Sequence, residues 1–192
     1  NQTPTRFQDF YVLIFVVFII ASGVIFFMGG DLLLVIFTLT IGAAFLILAG
    51  YSSNSPYAEI GAERELLAMM AYEPMVLITV IGFYMYTGSC NVRDILAGDS
   101  MPFIPMIGIF FGWMFVLTLK FRKSPFDLSM SHHAHQELVR GMTTEFVGRT
   151  MGWVEISHWY ENVFLLGFVF LFFANGTIVG WIVGIVVAIA AY

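Results

Sequence analysis

The chain has 192 residues, of which 59% are hydrophobic and only 11% are charged, and its mean hydropathy is +0.88. A soluble domain usually carries about a quarter charged residues, so this composition excludes an ordinary cytosolic globular protein. It also excludes a disordered chain, which needs low hydrophobicity and high net charge. The net charge of −5 is spread thinly, which argues against a nucleic-acid partner. The single cysteine, Cys90, excludes an internal disulfide and any cluster or zinc site built from several thiolates.

Apolar stretches long enough to cross a bilayer dominate the chain. A membrane helix needs about 20 mostly apolar residues. The stretches are apolar on every side, whereas the strands of a membrane barrel alternate apolar and polar residues. We therefore predict an all-α integral membrane protein with one transmembrane domain over 1–192. The predicted spans cover about 7–28, 32–49, 66–86, 103–121, 151–173 and 176–191, of which the last is short.

Two longer charged segments, 51–65 and 122–150, connect predicted spans and indicate the orientation. With six spans, they share one side of the membrane with both ends of the chain. Seven of the eight Lys and Arg residues lie on that side, and only Arg93 lies on the other. Because short loops rich in Lys and Arg stay in the cytoplasm, we expect a cell-membrane protein whose charged loops face the cytoplasm. A start without Met and an end inside an apolar run lead us to expect part of a longer subunit.

Glu73 lies inside the third predicted span, about 10 Å below its start. A carboxylate in hydrocarbon costs at least a few kcal/mol, so it must face a partner helix, face water or stay protonated. A proton-relay role and a hydrogen-bonded packing role both satisfy this requirement. Glu65 lies about 80° from Glu73 on a helical wheel, so both could line one cavity. An acidic residue that stabilises the start of a helix is the alternative for Glu65.

The fifth predicted span carries a polar stripe in its first half. Glu155, His158 and Glu161 are spaced by three residues and share one helix face. The stripe could belong to an ion path, or this part of the helix could protrude from the membrane and be solvated. Intramembrane haem is disfavoured, because His158 is the only histidine at that depth.

The 122–150 segment combines basic, acidic and histidine residues. His133 and Glu137 stand four residues apart and could share a ligand. His132, His133 and His135 resemble a metal site, but three histidines within four residues do not converge well, and no HExxH motif is present. We therefore predict no metal site, and we expect this polar segment to contact a hydrophilic partner protein.

Six short motifs follow one another along these polar segments in a fixed order. They are GYSSNSPYA at 50–58, GAERE at 61–65, AYEP at 71–74, SPFD at 124–127, QELV at 136–139 and TEFVG at 144–148. In order and spacing, over about 50–175, the chain resembles the NuoH family of respiratory complex I and its relatives in energy-converting NiFe hydrogenases. Members of the complex I branch usually carry an acidic cluster after Pro-Phe-Asp. This chain has three histidines there and HWYE at 158–161, which look like the hydrogenase branch of Ech/Mbh type.

The resemblance implies a fold of about eight helices, of which six are visible. It also implies an oxidoreductase subunit without catalytic residues, cofactors or metal ligands of its own. The NiFe centre and iron–sulfur clusters are expected in the partner hydrogenase large and small subunits, and antiporter-like membrane subunits are expected as further partners. Such a protein links electron transfer from ferredoxin to H2 with movement of H+ or Na+. The alternatives are a quinone-site component of complex I or a formate hydrogenlyase relative, a stand-alone transporter and a purely structural anchor.

The resemblance also assigns roles by position. Glu73, Asp127, Glu137 and Glu145 match acids of the family, and Glu65 matches less firmly. The usual acid of the fifth span aligns near His158, which Glu155 and Glu161 flank. The expected ion path therefore comprises Glu65, Glu73, Glu155, His158 and Glu161. The expected coupling loop comprises Asp127, His133, His135, Glu137, Arg140 and Glu145.

Overall fold

A computed structural model describes residues 6–53, 55–98, 101–121, 141–174 and 178–191, and every regular element within these ranges is helical. A single 3-10 turn, Gly141–Thr143, precedes the sixth helix. The seven α-helices are α1 Arg6–Phe27, α2 Leu32–Tyr51, α3 Pro56–Thr87, α4 Val92–Leu96, α5 Ile107–Lys120, α6 Arg149–Phe173 and α7 Ile178–Ala191.

Most of these helices have the length and the apolar composition of membrane helices. Helices α1, α2, α3 and α6 are long and apolar enough to cross a membrane, and α5 and α7 are shorter apolar helices. Large apolar side chains such as Leu13, Val17 and Phe37 are exposed on the outside of the bundle. Such a surface suits lipid, because a helix satisfies its backbone hydrogen bonds internally and needs no water around it. The chain is therefore an all-α membrane protein, as the sequence predicted.

Helix α3 begins ten residues before the expected third span and occupies most of the segment expected to be the 51–65 loop. Pro56 at the first helical position fixes a helical φ, and Glu59 lies in the first turn, where an acid complements the helix dipole. The sequence prediction excluded 56–65 from the span because these residues are charged, but a helix can extend beyond the hydrocarbon. Glu73 therefore lies about 25 Å from the start of α3, while it stays about 10 Å from residue 66, where the predicted apolar span begins.

The helices pack as a closed bundle. Helix α1 packs between α2 and α6, α3 packs between α2 and α5, and α5 also contacts α6, while α7 packs against α6. Phe15, Phe83, Trp113, Phe168 and Phe172 are almost fully buried in the centre. Their edge-to-face and stacked contacts, such as the one at 4.9 Å between the ring centroids of Trp113 and Phe168, fill the core with rigid side chains.

One end of the bundle is closed by contacts between two turns. The Leu32 backbone N–H donates to the Cys90 carbonyl at 2.9 Å, and the Val92 N–H donates to the Gly30 carbonyl at 3.0 Å. Gly29 supplies the left-handed φ of +80° that this tight turn needs. The α1–α2 and α3–α4 connections therefore lie at the same face of the bundle.

The opposite end is closed by the segment before α6. The backbone of Met142 lies so close to α3 that a Cβ on Gly61 would come within 2.2 Å of the Met142 nitrogen. The Met142 side chain covers Gly50 of α2 in the same way, at 2.7 Å from an added Cβ. Two glycines from the motifs at 50–58 and 61–65 therefore allow the end of the 122–150 segment to rest directly on α2 and α3.

Candidate functional site

A buried ion pair joins α5 to α6. The Lys120 ammonium donates to Glu161 Oε1 at 2.8 Å, and the two side chains are 11% and 9% exposed. His158 approaches the other carboxylate oxygen, with 3.4 Å between Nδ1 and Glu161 Oε2. The Lys120 nitrogen also lies 4.6 Å from the centre of the Tyr72 ring on α3. Glu161 is thus held by a cation on one side and a titratable imidazole on the other.

Glu73 belongs to the same region but has different neighbours. The Thr40 hydroxyl of α2 donates to Glu73 Oε1 at 2.5 Å, which holds the carboxylate towards the α2–α3 contact. Glu73 is half-buried, one residue before Pro74, which has no N–H to complete the turn of α3. The carboxylate therefore has a hydrogen-bond donor from a neighbouring helix, as a buried charge requires.

A small cavity lies between these two groups. Its volume is about 20 Å³, and its walls come from α2, α3, α5 and α6. Four polar side chains line it, namely Thr40, Glu73, Tyr72 and Lys120, together with Trp113. The rest of the wall is aliphatic or aromatic. Glu73 and Lys120 thus line one small space, although they lie on different helices.

The structure separates the residues of the polar stripe. His158 and Glu161 meet in the buried cluster, whereas Glu155 is exposed on the outer face of α6. Glu65 is half-buried on α3 and does not line the cavity that Glu73 lines. The sequence predicted that Glu65 and Glu73 could line one cavity. The cavity beside Glu73 and Lys120 is lined by Glu73 without Glu65.

Of the expected coupling loop, only Glu145 lies within the described residues. It is half-buried, two residues after the 3-10 turn that rests on α3. The other expected residues of this loop, Asp127, His133, His135, Glu137 and Arg140, lie outside the described residues, as does His132.

Sequence reasoning missed Lys120 as a member of the site. It counted Lys120 among the positive charges that orient the protein, because the residue ends an apolar stretch and adjoins Arg122 and Lys123. Thr40 and Trp113 also gave no signal, since single polar or aromatic residues are common in membrane helices. Tyr72 entered only as a member of the AYEP motif at 71–74, without a role in the site. Only the packing of α2, α3, α5 and α6 brings these residues around Glu73 and Glu161.

The fold and the site define a helical membrane protein with a buried cluster of ionisable residues. The profile of the NADH dehydrogenase family matches residues 7–192, and the chain belongs to that family. Its members are subunits of oxidoreductase complexes, as the sequence resemblance predicted. This result places the chain among the membrane subunits of respiratory complexes.

Several curated relatives share about a third of their aligned residues with this chain. The H subunit of NADH-quinone oxidoreductase from Dehalococcoides mccartyi is 30% identical over 60% of this chain and 32% of its own length. Hydrogenase-4 component C of Escherichia coli is 31% identical over 62% of this chain and 38% of its own length. The H subunit of F(420)H(2) dehydrogenase from Methanosarcina mazei is 30% identical over 71% of this chain and 42% of its own length. The chain thus spans less than half the length of these relatives.

A solved structure shares the whole fold. The chain is similar over 100% of its length to a chain in the structure of the membrane-bound sulfane sulfur reductase, an archaeal respiratory membrane complex. The TM-score is 0.83, the sequence identity is 28%, and 69% of that chain is covered.

Proposed function

We propose that this chain is the membrane anchor and coupling subunit of an energy-converting NiFe hydrogenase complex. In this role it links electron transfer in a docked hydrophilic arm, from ferredoxin to H2, with translocation of H+ or Na+ through buried ionisable residues. The NiFe centre and the iron–sulfur clusters would belong to the hydrogenase large and small subunits. The chain would reside in the cell membrane, with antiporter-like subunits beside it and its charged loops in the cytoplasm.

The observation that carries the proposal is the buried cluster of Glu73, Lys120, His158 and Glu161. Ionisable residues inside a membrane protein are costly, and they usually mark an ion path. Here one carboxylate, one ammonium and one imidazole meet between α5 and α6. The half-buried Glu73 of α3 lines the same small cavity as Lys120. A cluster of this kind can respond to a change of charge in a docked arm, because each group's protonation depends on the charges beside it.

Glu73→Gln tests the coupling role. The substitution keeps the shape and the Thr40 hydrogen bond but removes the negative charge. We expect reconstituted complex to lose ion translocation by about a hundredfold or more, since a positioned acid–base group contributes about 10²–10⁴-fold. Hydrogen turnover with an artificial dye is expected to continue, because dye reduction bypasses the membrane path.

Glu59→Gln is the matched control, because it makes the same chemical change at an exposed position of the same helix. It should translocate ions like the parent complex. Full ion translocation in the Glu73→Gln complex would contradict the coupling role.

A quinone-linked complex is the second candidate, and one feature favours it. A groove of about 480 Å³ runs between α1 and the start of α6. Its wall is mainly aliphatic, with Val12, Leu13 and Val16, and Asp9 and Thr150 form a polar end in which the Thr150 hydroxyl donates to Asp9. An isoprenoid chain would fit such a groove. Inhibition by quinone analogues would favour this candidate, whereas nickel together with dye-linked H2 turnover in the purified complex would favour the hydrogenase.

A further inference from the structure

The cavity between Glu73 and Lys120 has the size and chemistry of a single-water site. A cavity needs roughly 10–15 Å³ of space for the centre of a water probe to hold one molecule, and this cavity offers about 20 Å³. Apolar cavities of this size stay dry, but a water is retained where two to four polar groups can bind it. The Glu73 carboxylate and the Lys120 ammonium supply an acceptor and a donor in the wall of this cavity.

Trp113 provides a second, independent observation. Its side chain lines the cavity and is 1% exposed. Among the described residues, no acceptor lies within hydrogen-bond distance of its buried indole N–H. A buried N–H without an acceptor is destabilising, so an acceptor that the described protein atoms do not supply is expected nearby. A water oxygen in this region can serve as that acceptor.

Lys120 and Glu73 each have hydrogen-bonding capacity that their protein partners do not use. The Lys120 ammonium has three N–H donors, of which one serves Glu161 at 2.8 Å and a second serves the Tyr72 hydroxyl, so one remains. The Glu73 carboxylate has about four acceptor sites, one of which takes the Thr40 hydroxyl. A water between them can accept from Lys120 and donate to Glu73 without disturbing either existing hydrogen bond.

We propose that this cavity holds one ordered water that joins Glu73 to the Lys120–Glu161 ion pair, so that Lys120 is the shared counter-charge of both carboxylates. When Glu73 is negatively charged, the water accepts a hydrogen bond from the Lys120 ammonium and donates one to Glu73, so the ammonium stabilises the charge on Glu73. When a proton neutralises Glu73, the ammonium interacts with Glu161 alone. Lys120 acts here as a positioning residue. This inference rests on the proposed coupling function and adds the connection between α3 and the α5–α6 pair.

Filling the cavity tests the connection without altering any charge. Val76 lines the cavity and Val80 does not, although both are buried, one turn apart, on α3. Val76→Leu and Val80→Leu therefore add the same methylene to the same helix, and each variant carries a comparable cost of overpacking. In the reconstituted complex, we expect Val76→Leu to lower the ions moved per electron by about tenfold or more, because a relay through one water is broken. Val80→Leu should match the parent ratio.

High-resolution electron cryomicroscopy of the parent complex supplies a measurement that needs no variant. We expect density for one water between the Glu73 carboxylate and Lys120 Nζ. A dry cavity in a map that shows other buried waters overturns the inference, and so do equal ratios of ions to electrons in the two valine variants. The Glu73→Gln variant distinguishes a failure of the water bridge from a failure of the coupling role. Lost translocation in that variant with an unaffected Val76→Leu leaves the coupling role standing and removes the water bridge.

Discussion

The contrast between Lys120 and Glu155 shows how burial decides the role of a charge at the residue scale. Glu155 lies in an apolar helix but faces outward. Lys120 ends an apolar helix, yet its side chain is only 11% exposed and pairs with Glu161. A buried ion pair often adds little net stability, because desolvation offsets the Coulomb attraction. The removal of one partner is costly, because the remaining charge stays buried without compensation.

Lys120→Met should therefore destabilise the protein by about 3–5 kcal/mol, since it leaves the Glu161 charge unpaired. The double variant Lys120→Met/Glu161→Gln should recover most of that loss, because neither charge remains. The melting temperatures of the detergent-purified complexes would measure both effects. Equal melting temperatures for the single variant and the parent would show that the pair is not buried in the assembled protein.

Close approach of backbone segments decides the packing at the element scale. Gly61 sits in the first turns of α3, where alanine would normally favour the helix. The backbone of Met142 occupies the space that a side chain would need. Gly61 therefore lets the segment before α6 lie directly on α3 and fixes where Glu145 sits relative to the membrane helices. Gly152 of α6 offers a comparison, because nothing lies within 4 Å of its added Cβ.

Substitution of these two glycines by alanine should have effects of opposite sign. Gly152→Ala should stabilise the complex by about 0.5–1 kcal/mol through reduced chain entropy. Gly61→Ala should destabilise it, because the Met142 backbone must move away by more than a side-chain rotation can provide. Thermal unfolding and protease sensitivity of the 122–150 segment would measure the difference. Similar stability gains in both variants would contradict the observed contact.

The placement of connections at the two ends gives the bundle its sidedness at the scale of the whole molecule. The 28–31 and 88–92 turns pair at one end, and the 141–148 segment rests on α2 and α3 at the other. The distribution of Lys and Arg predicts that the second end faces the cytoplasm. An exposed thiol near the first end can test this orientation. Cys90 itself is a poor reporter, because burial raises the pKa of its thiol and the thiolate is the reactive form.

Ala97→Cys in a Cys90→Ala background places one thiol at an exposed position just after α4. We expect a membrane-impermeant maleimide to label it in intact cells and to fail to label it in sealed inside-out vesicles. Labelling after detergent solubilisation would control for access. The reverse pattern would invert the predicted topology.

The sequence by itself determined the class of fold and the identity of several ionisable groups. Long apolar stretches must become helices in lipid, since no other local structure satisfies their backbone there. Glu73 and Glu161 were therefore recognisable as costly charges before any contact was known. Helix ends were less well predicted, as the early start of α3 shows, because charged residues end a hydrophobic span without ending a helix.

Tertiary structure alone decided which charges meet. His158 and Glu161 were predicted as neighbours on one helix, but the cation that pairs with Glu161 comes from α5, 41 residues away in sequence. The same packing leaves Glu155 outside and forms a water-sized space lined by Glu73 and Lys120. Helical periodicity specifies a face and not the residue that the face will meet. Partners across helices depend on how α2, α3, α5 and α6 pack together.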